Sequence, residues 1–280
     1  MGEIVMAAKI THVPSIWMSH TIKKFHGIRD FAIDGYASLR EQAIKAGVET
    51  FVIFDTHWIV NQGFHLNGKP KHKGEFISHE LPHMLSNMVY DYQGDPELAG
   101  LIEAEIRGNR DRAIAHEDAL MGMEYGTLVP MHFINNGKYA RVLPVAVNQF
   151  STIDENRVWG AAIAAAIKKS DRKVAILASG SLSHAFWPNA QSTEGLNSVN
   201  GEFNEQVDRK VLELWEEGRW GEFLDMLPEY AVKCVGECAM NDTALLFGAL
   251  GWKEYQGRPT THTPYFGSSG TGQVNITFSV

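Results

Sequence analysis

The sequence predicts an α/β fold, with a central largely parallel or mixed sheet flanked by helices. Three observations carry this reading: strand-like and helix-like patterns alternate, the alternation occurs twice, and three apolar strands each run into a histidine. Residues 4–13 read as the first strand. Residues 30–46 read as a helix, because Tyr36, Leu39, Ala43 and Ala46 share one face before Gly47 closes it. Residues 51–60 (FVIFDTHWIV) begin as a buried strand and turn polar at Asp55, Thr56 and His57, followed at once by Trp58. The result is a β-α-β unit, whose strands are expected to lie parallel with a right-handed connection. The polar stretch 61–74, with its Gly and Lys residues, is expected to be a loop. A strand over 141–147, an Ala-rich helix over 158–168 and a buried run over 173–178 repeat the unit. Phe203, Val207, Val211 and Leu214 then mark a long amphipathic helix, 242–250 another, and 273–280 alternates like a last strand. No linker, repeat or low-complexity segment interrupts this order, so one domain over residues 1–280 is expected.

Composition narrows the function. The chain is 44% hydrophobic and 21% charged, and its formal charge of −8 comes from acids and bases mixed along its length. No block of like charge suits a nucleic-acid stripe or a membrane surface, which leaves small molecules as the expected partners. Cys234 and Cys238 are too few for a disulfide framework and lack the second pair of a structural zinc site, so a reducing cytoplasm is expected. The first ten residues carry no basic leader, and no apolar run approaches the roughly twenty residues that span a bilayer. Neither export nor membrane insertion is expected.

Ligands of open α/β sheets collect outside the carboxyl ends of the strands. His12, His57 and His184, the last ending the run Ser179-Gly-Ser-Leu-Ser-His184, stand near three such ends and can converge on one cleft. A lone histidine there is ordinarily a packed or capping residue, but three on parallel strand ends call for a shared purpose. Asp55 is expected to hold His57 in one tautomer. Other motifs fail on chemistry. Gly63 to Pro70 nearly spells a phosphate-binding loop, yet Pro70 stands where a magnesium-binding hydroxyl is required. Gly270-Thr-Gly272 lacks the third glycine of a dinucleotide fingerprint, and no G-x-S-x-G elbow occurs in 179–184 or 266–272. The competitor is His79-Glu80-Leu-Pro-His83, a literal H-E-x-x-H, with Glu103 and Glu105 in range as a third zinc ligand and Glu80 as base. That motif needs a helix, and Pro82 in a helix interior costs about 3 kcal/mol.

Five segments in order, Thr11-His12-Val-Pro, Asp55-Thr-His57-Trp, Glu124-Tyr-Gly-Thr-Leu-Val-Pro130, Ser179-Gly-Ser-Leu-Ser-His184 and Gly236-Glu237, resemble the motifs of class III extradiol ring-cleaving dioxygenases. The likeness runs from the first strand to the tail Ser268-Ser-Gly-Thr-Gly-Gln-Val-Asn275 and implies the catalytic-subunit fold of that family. It implies His12, His57 and Glu237 as ligands of a mononuclear Fe(II), with Mn(II) the other candidate, in a two-histidine, one-carboxylate set that leaves coordination positions open. It implies His184 as the acid/base, which suits an imidazole titrating near neutrality. It further implies dioxygen and a catechol, 3,4-dihydroxyphenylacetate first, as reactants, and a homo-oligomer. Several relatives read Asp-His-Gly-Thr where this chain has Glu124-Tyr125-Gly126-Thr127, so a second acid/base histidine is missing. Tyr125 can donate a phenolic hydrogen bond there, but a pKa near 10 makes it a poor base at neutral pH. His116 is a candidate substitute, against a surface or packing role. For Glu237 the competing reading is an exposed charge at a helix end. No residue is assigned to a substrate carboxylate, although the Ser268–Thr271 turn can hold an anion. The alternatives from other classes are a zinc metallopeptidase using His79, Glu80 and His83, and a Memo-like non-catalytic binding protein of the same fold that takes up no metal tightly.

Overall fold

The computed structural model describes residues 1–108 and 112–280. In chain order it contains β1 (Glu3–Ile10), α1 (Pro14–Thr21), α2 (Asp30–Ala46), β2 (Thr50–Val60), β3 (Phe64–Asn67), β4 (Lys71–Phe76), β5 (Met88–Gln93), α3 (Pro96–Gly108), β6 (Ala113–His116), α4 (Tyr125–Ile134), β7 (Arg141–Asn148), α5 (Ile153–Lys169) and β8 (Lys173–Ser179). The rest comprises α6 (Glu202–Glu216), α7 (Trp220–Lys233), α8 (Asn241–Ala249), β9 (Pro259–Thr261), β10 (Phe266–Ser268), β11 (Thr271–Gln273) and β12 (Ile276–Phe278). An eight-stranded sheet of order β6-β3-β7-β2-β8-β1-β12-β9 runs through it. Its centre, β7-β2-β8-β1, is parallel, while β12 and β9 add antiparallel and β3 meets β7 antiparallel. The sheet is therefore mixed with a parallel heart, as the repeated β-α-β pattern requires.

Both faces of that heart are covered, which is why its strands read as near-continuous apolar runs. Met6, Ala8, Ile10, Phe51, Ile53, Ala175 and Leu177 face Ile16, Tyr36, Leu39 and Leu128 from α1, α2 and α4. The alternate residues Ala7, Val52, Phe54, Val174, Ile176 and Ala178 face α3, α5 and α8. Each of the larger apolar side chains here, fully buried, contributes roughly 1.5–3 kcal/mol. Beyond α8 lies an aromatic cluster in which Phe247 packs against Trp215, Trp220, Phe223 and Phe278 at centroid distances of 5.1 to 6.2 Å.

Helix α2 ends as its sequence predicts, with Gly47 at φ 72°. Elsewhere the structure corrects the pattern. Strand β1 stops at Ile10, so His12 stands in the turn beyond it and Val13 precedes α1. Stretch 61–74 is no loop: it holds β3, paired with β6 and β7, and β4, paired with β5, partners distant enough in sequence to leave no local signature. Helix α5 starts at Ile153, because a capping box of Thr152 and Glu155 opens a first turn too polar to show periodicity. On α6, Phe203 is 57% exposed, and the buried face carries Asn204, Asp208, Val211, Leu214 and Trp215. Stretch 273–280 divides between β11 and β12, parted near Asn275, whose N–H bonds the Thr263 hydroxyl at 2.7 Å.

Removing the Phe247 ring leaves a cavity in the aromatic cluster. Phe247→Ala is expected to lower the unfolding free energy by about 3–5 kcal/mol, read from the shift of the urea midpoint at unchanged slope.

Candidate metal centre

The site grows from the register of three neighbouring parallel strands. Asp55 and Ile10 both pair with Ser179, so these three positions of β2, β1 and β8 lie in one row, where β1 and β8 end. His12 follows β1, the segment leading to His184 follows β8, and His57 follows Asp55 in a stretch of β2 where the pairing with β7 slips between Asp55 and Ile59. Asp55 makes that irregularity. Its Oδ1 accepts the backbone N–H groups of His57 at 2.9 Å and Trp58 at 3.3 Å, while Oδ2 accepts the Thr127 hydroxyl at 2.6 Å. Asp55 thus sets the backbone of His57 and makes no hydrogen bond to its ring, unlike the tautomer-holding role expected of it. Glu237 arrives from the loop after α7, where Gly236 bridges to Ser183 and the Glu237 N–H bonds Leu182 O at 3.3 Å. The chain then turns left-handed through Cys238, Ala239 and Met240, at φ 44°, 55° and 60°.

These segments bring His12, His57 and Glu237 together, with ligand atoms all within 4.8 Å of one another. Glu237 Oε1 lies 3.4 Å from His12 Nε2 and 3.8 Å from His57 Nε2, and its Oε2 lies 3.7 Å from His184 Nε2. The Glu237 carboxylate is buried, accepting the Thr56 hydroxyl on Oε1 and the Ser181 N–H on Oε2 at 2.5 Å. Its competing reading as an exposed charge is thereby overturned; that description fits Glu229 of the preceding helix α7 instead, which is exposed and pairs with Lys233. The donor set fits a divalent transition metal. Ser179 donates its hydroxyl proton to Gly126 O at 2.5 Å and so accepts from His12 Nδ1–H at 3.0 Å, leaving the Nε2 lone pair aimed at Glu237. Metal bonds of about 2.0–2.2 Å to such N and O donors span the gaps of 3.4 and 3.8 Å.

Electrostatics agree with ligation. Burial would raise the Glu237 carboxyl, but the imidazoles of His184, His12 and His57 outweigh it and hold the group well below the usual carboxylate range. Burial first, then His12, pushes the His57 imidazole down to about 3, so at neutral pH it is uncharged and offers a lone pair. Tyr125, first residue of α4, lies against His57 at 3.8 Å between ring centroids. Burial, with Glu237 the first of several nearby acids, raises its phenol far above the ordinary range, so it remains a proton donor. Neighbouring Glu124 is pushed up to about 7 by burial and Asp55.

The centre opens into a cleft of about 920 Å³ walled by Met18, Ile22, Phe186 and Trp187, with His184 and Tyr125 at its floor. The zinc-peptidase motif fails here. Residues 79–83 form no helix, His79, Glu80 and His83 are all exposed, and the histidine pair joins no metal-binding group among the described residues. His116 is absent from the cleft wall; it stacks on His65 and bonds it at 2.7 Å. The pattern did not flag Thr56, Ser179 and Ser181 as supports of the ligands, although they lie inside the quoted motifs, because their partners are distant in sequence. A Cβ on Gly126 would meet Asp55 Oδ1 at 2.1 Å. Gly126→Ala is therefore expected to cost about 1–3 kcal/mol of stability and to weaken divalent-metal uptake, both measurable by thermal unfolding with and without metal.

Comparison with known proteins accords with this geometry. The chain is 43% identical over 269 residues to 3,4-dihydroxyphenylacetate 2,3-dioxygenase of Escherichia coli, covering 95% of this chain and 97% of that one. It is 23% identical over 268 residues to the 2-aminophenol 1,6-dioxygenase beta subunit of a Pseudomonas species, covering 88% and 82%. An uncharacterized protein of Escherichia coli K12 shares the fold, with a TM-score of 0.60 at 13% identity over 86% of this chain and 91% of its own. A family described as the catalytic LigB subunit of aromatic ring-opening dioxygenase matches residues 6–279. The chain belongs to that family of ring-opening dioxygenase catalytic subunits.

Proposed function

We propose that this protein is an Fe(II)-dependent extradiol dioxygenase that opens the ring of 3,4-dihydroxyphenylacetate beside its diol, inserting both atoms of dioxygen to give a 2-hydroxymuconate semialdehyde. The observation that carries the reading is the convergence of His12, His57 and Glu237, with both histidines lining a cleft of ring-accommodating size. His12, His57 and Glu237 would hold the metal, Fe(II) with Mn(II) the alternative. The bound ion supplies open positions for catechol and dioxygen and the electronic coupling between them that spin would otherwise forbid.

The protein's own groups do the rest. Ser179 keeps His12 in the tautomer that presents Nε2, and Thr56 with the Ser181 amide keeps the Glu237 carboxylate fixed. His184 lies beside the ligand set, with its ring against Phe186 at 4.6 Å, and takes and returns a proton at Nε2. Tyr125 cannot replace the missing histidine as a base, since its phenol stays protonated; it donates a hydrogen bond to a reacting oxygen. His184 is then the group that accepts the substrate proton, at Nε2. The apolar wall of Met18, Phe186 and Trp187 excludes bulk water from the ring. The protein is expected to work as a single catalytic domain, in a cytoplasmic homo-oligomer; among the described residues no helix is long and apolar enough to cross a membrane.

Anaerobic loading with Fe(II), followed by air and 3,4-dihydroxyphenylacetate, is expected to consume dioxygen and release a yellow product. His57→Ala should abolish both signals and His83→Ala should leave them intact; a wild type that gives neither signal but hydrolyses peptides, with the hydrolysis lost in His83→Ala, would restore the peptidase reading. A wild-type protein that binds no metal would favour the non-catalytic binding protein instead. Replacing the acid/base, His184→Gln, should lower kcat by about 10²–10⁴-fold while Fe(II) binding by calorimetry is retained.

A further inference from the structure

Resting on that reading, one buried charge gives the cleft a polarity. Arg29 is 3% exposed, at the N-terminus of α2. Its Nε donates to Ser15 Oγ at 2.9 Å, its Nη2 donates to Leu196 O at 3.3 Å and Gly267 O at 3.2 Å, and its guanidinium packs over the Phe266 ring at 5.0 Å. Every one of these partners is neutral, and among the described residues no Asp or Glu oxygen lies within the 4.0 Å of an ion pair. Burial lowers the group only to about 10, so it is charged at neutral pH. A buried cation without a counter-ion is costly, and proteins ordinarily pair such groups.

The missing anion has an obvious seat. Ser15 Oγ, having accepted from Arg29, lies 3.1 Å from Ser268 Oγ, and both serines line the cleft that holds His12 and His57. Ser269 and Gly270, at φ 55° and 105°, turn β10 into β11 so that Ser268, Ser269 and Thr271 all border the same corner. One hydroxyl proton bridges Ser15 and Ser268, which leaves the other free to point into the cleft, polarised by the guanidinium behind the pair. Lys24, on the rim, is exposed and therefore screened, and Glu80, also on the wall, is exposed too. We propose that Ser15 and Ser268 form the subsite for a carboxylate on the catechol side chain, and that Arg29, acting through Ser15 as a positioning residue, supplies its counter-charge. The cleft thereby selects anionic, arylacetate-type catechols over neutral ones.

The experiment reads binding as well as turnover. Isothermal calorimetry under anaerobic conditions compares 4-hydroxyphenylacetate with its neutral counterpart 4-methylphenol, on wild type and variants of confirmed fold. Wild type should prefer the anion. Arg29→Met should weaken the anion by about tenfold or more, as expected for loss of a charge-assisted contact, and leave 4-methylphenol unchanged; Arg29→Lys should recover part of the preference and Lys24→Ala should keep all of it. In turnover the same loss should appear as a raised KM for 3,4-dihydroxyphenylacetate at nearly constant kcat, with 4-methylcatechol unaffected. Equal weakening of both ligands, or a preference that follows Lys24, overturns the assignment. Should Arg29→Met fail to fold, the Ser15→Ala/Ser268→Ala double variant decides, and an unchanged anion preference there overturns it equally. Absence of catechol turnover in wild type would refute the proposed function, whereas the calorimetric preference would still decide the subsite.

Discussion

Burying the Glu237 anion is the constraint around which the rest of the centre is arranged. A carboxylate taken out of water is tolerated only when charge and hydrogen bonds replace its solvation. Here the replacements come from every nearby element: the Thr56 hydroxyl and the His57 imidazole from β2, the Ser181 amide beyond β8, and the imidazoles of His12 and His184 following β1 and β8. Satisfying one anion therefore pins the ends of three strands to the loop after α7. The left-handed run Cys238–Ala239–Met240 is the local cost, about 1–2 kcal/mol per residue for such backbone. It persists because the surroundings over-determine it: the Cys238 thiol bonds Thr56 O at 3.2 Å and Met240 is fully buried.

The same economy governs the start of α4. Gly126 O accepts from Ser179, which orients His12, and Thr127 bonds Asp55, which shapes the backbone at His57. Three consecutive residues thus brace both imidazoles, and the first of them, Tyr125, contributes its ring to the floor. Gly126 and Thr127 are held by close contact, whereas Tyr125 lines the cleft. A second cavity, lined by Glu124, Glu80 and Tyr90, shares His57 and Tyr125 with the main cleft. Glu80 borders both spaces too, so the wall between them is made of an imidazole, a carboxylate and a phenol.

Much of this was legible from residue order. The β-α-β repeats, the parallel heart of the sheet and the helix ended by Gly47 follow from periodicity and one glycine, because they depend on local pattern. The strand-end histidines His12, His57 and His184 were visible for the same reason. Glu237 was visible through resemblance alone: no periodicity distinguishes it from Glu229, and only burial separates them. The short strands β3 and β4 were hidden because their partners lie far along the chain. Arg29 was hidden as well, since nothing local separates a buried, unpaired guanidinium from a solvated one.

Sequence by itself determined the elements that alternate and the identity of the groups able to bind a metal or move a proton, because side-chain chemistry and backbone propensity are properties of the residue. Only the tertiary structure decided which of those groups meet. It unwound the H-E-x-x-H segment into an exposed turn, moved Asp55 from the ring of His57 to its backbone, and gathered two imidazoles and a carboxylate from positions 12, 57 and 237. The physical reason is that ligation and charge compensation act over a few ångströms of space, and distance in space is set by strand register and burial, which no single stretch of chain contains.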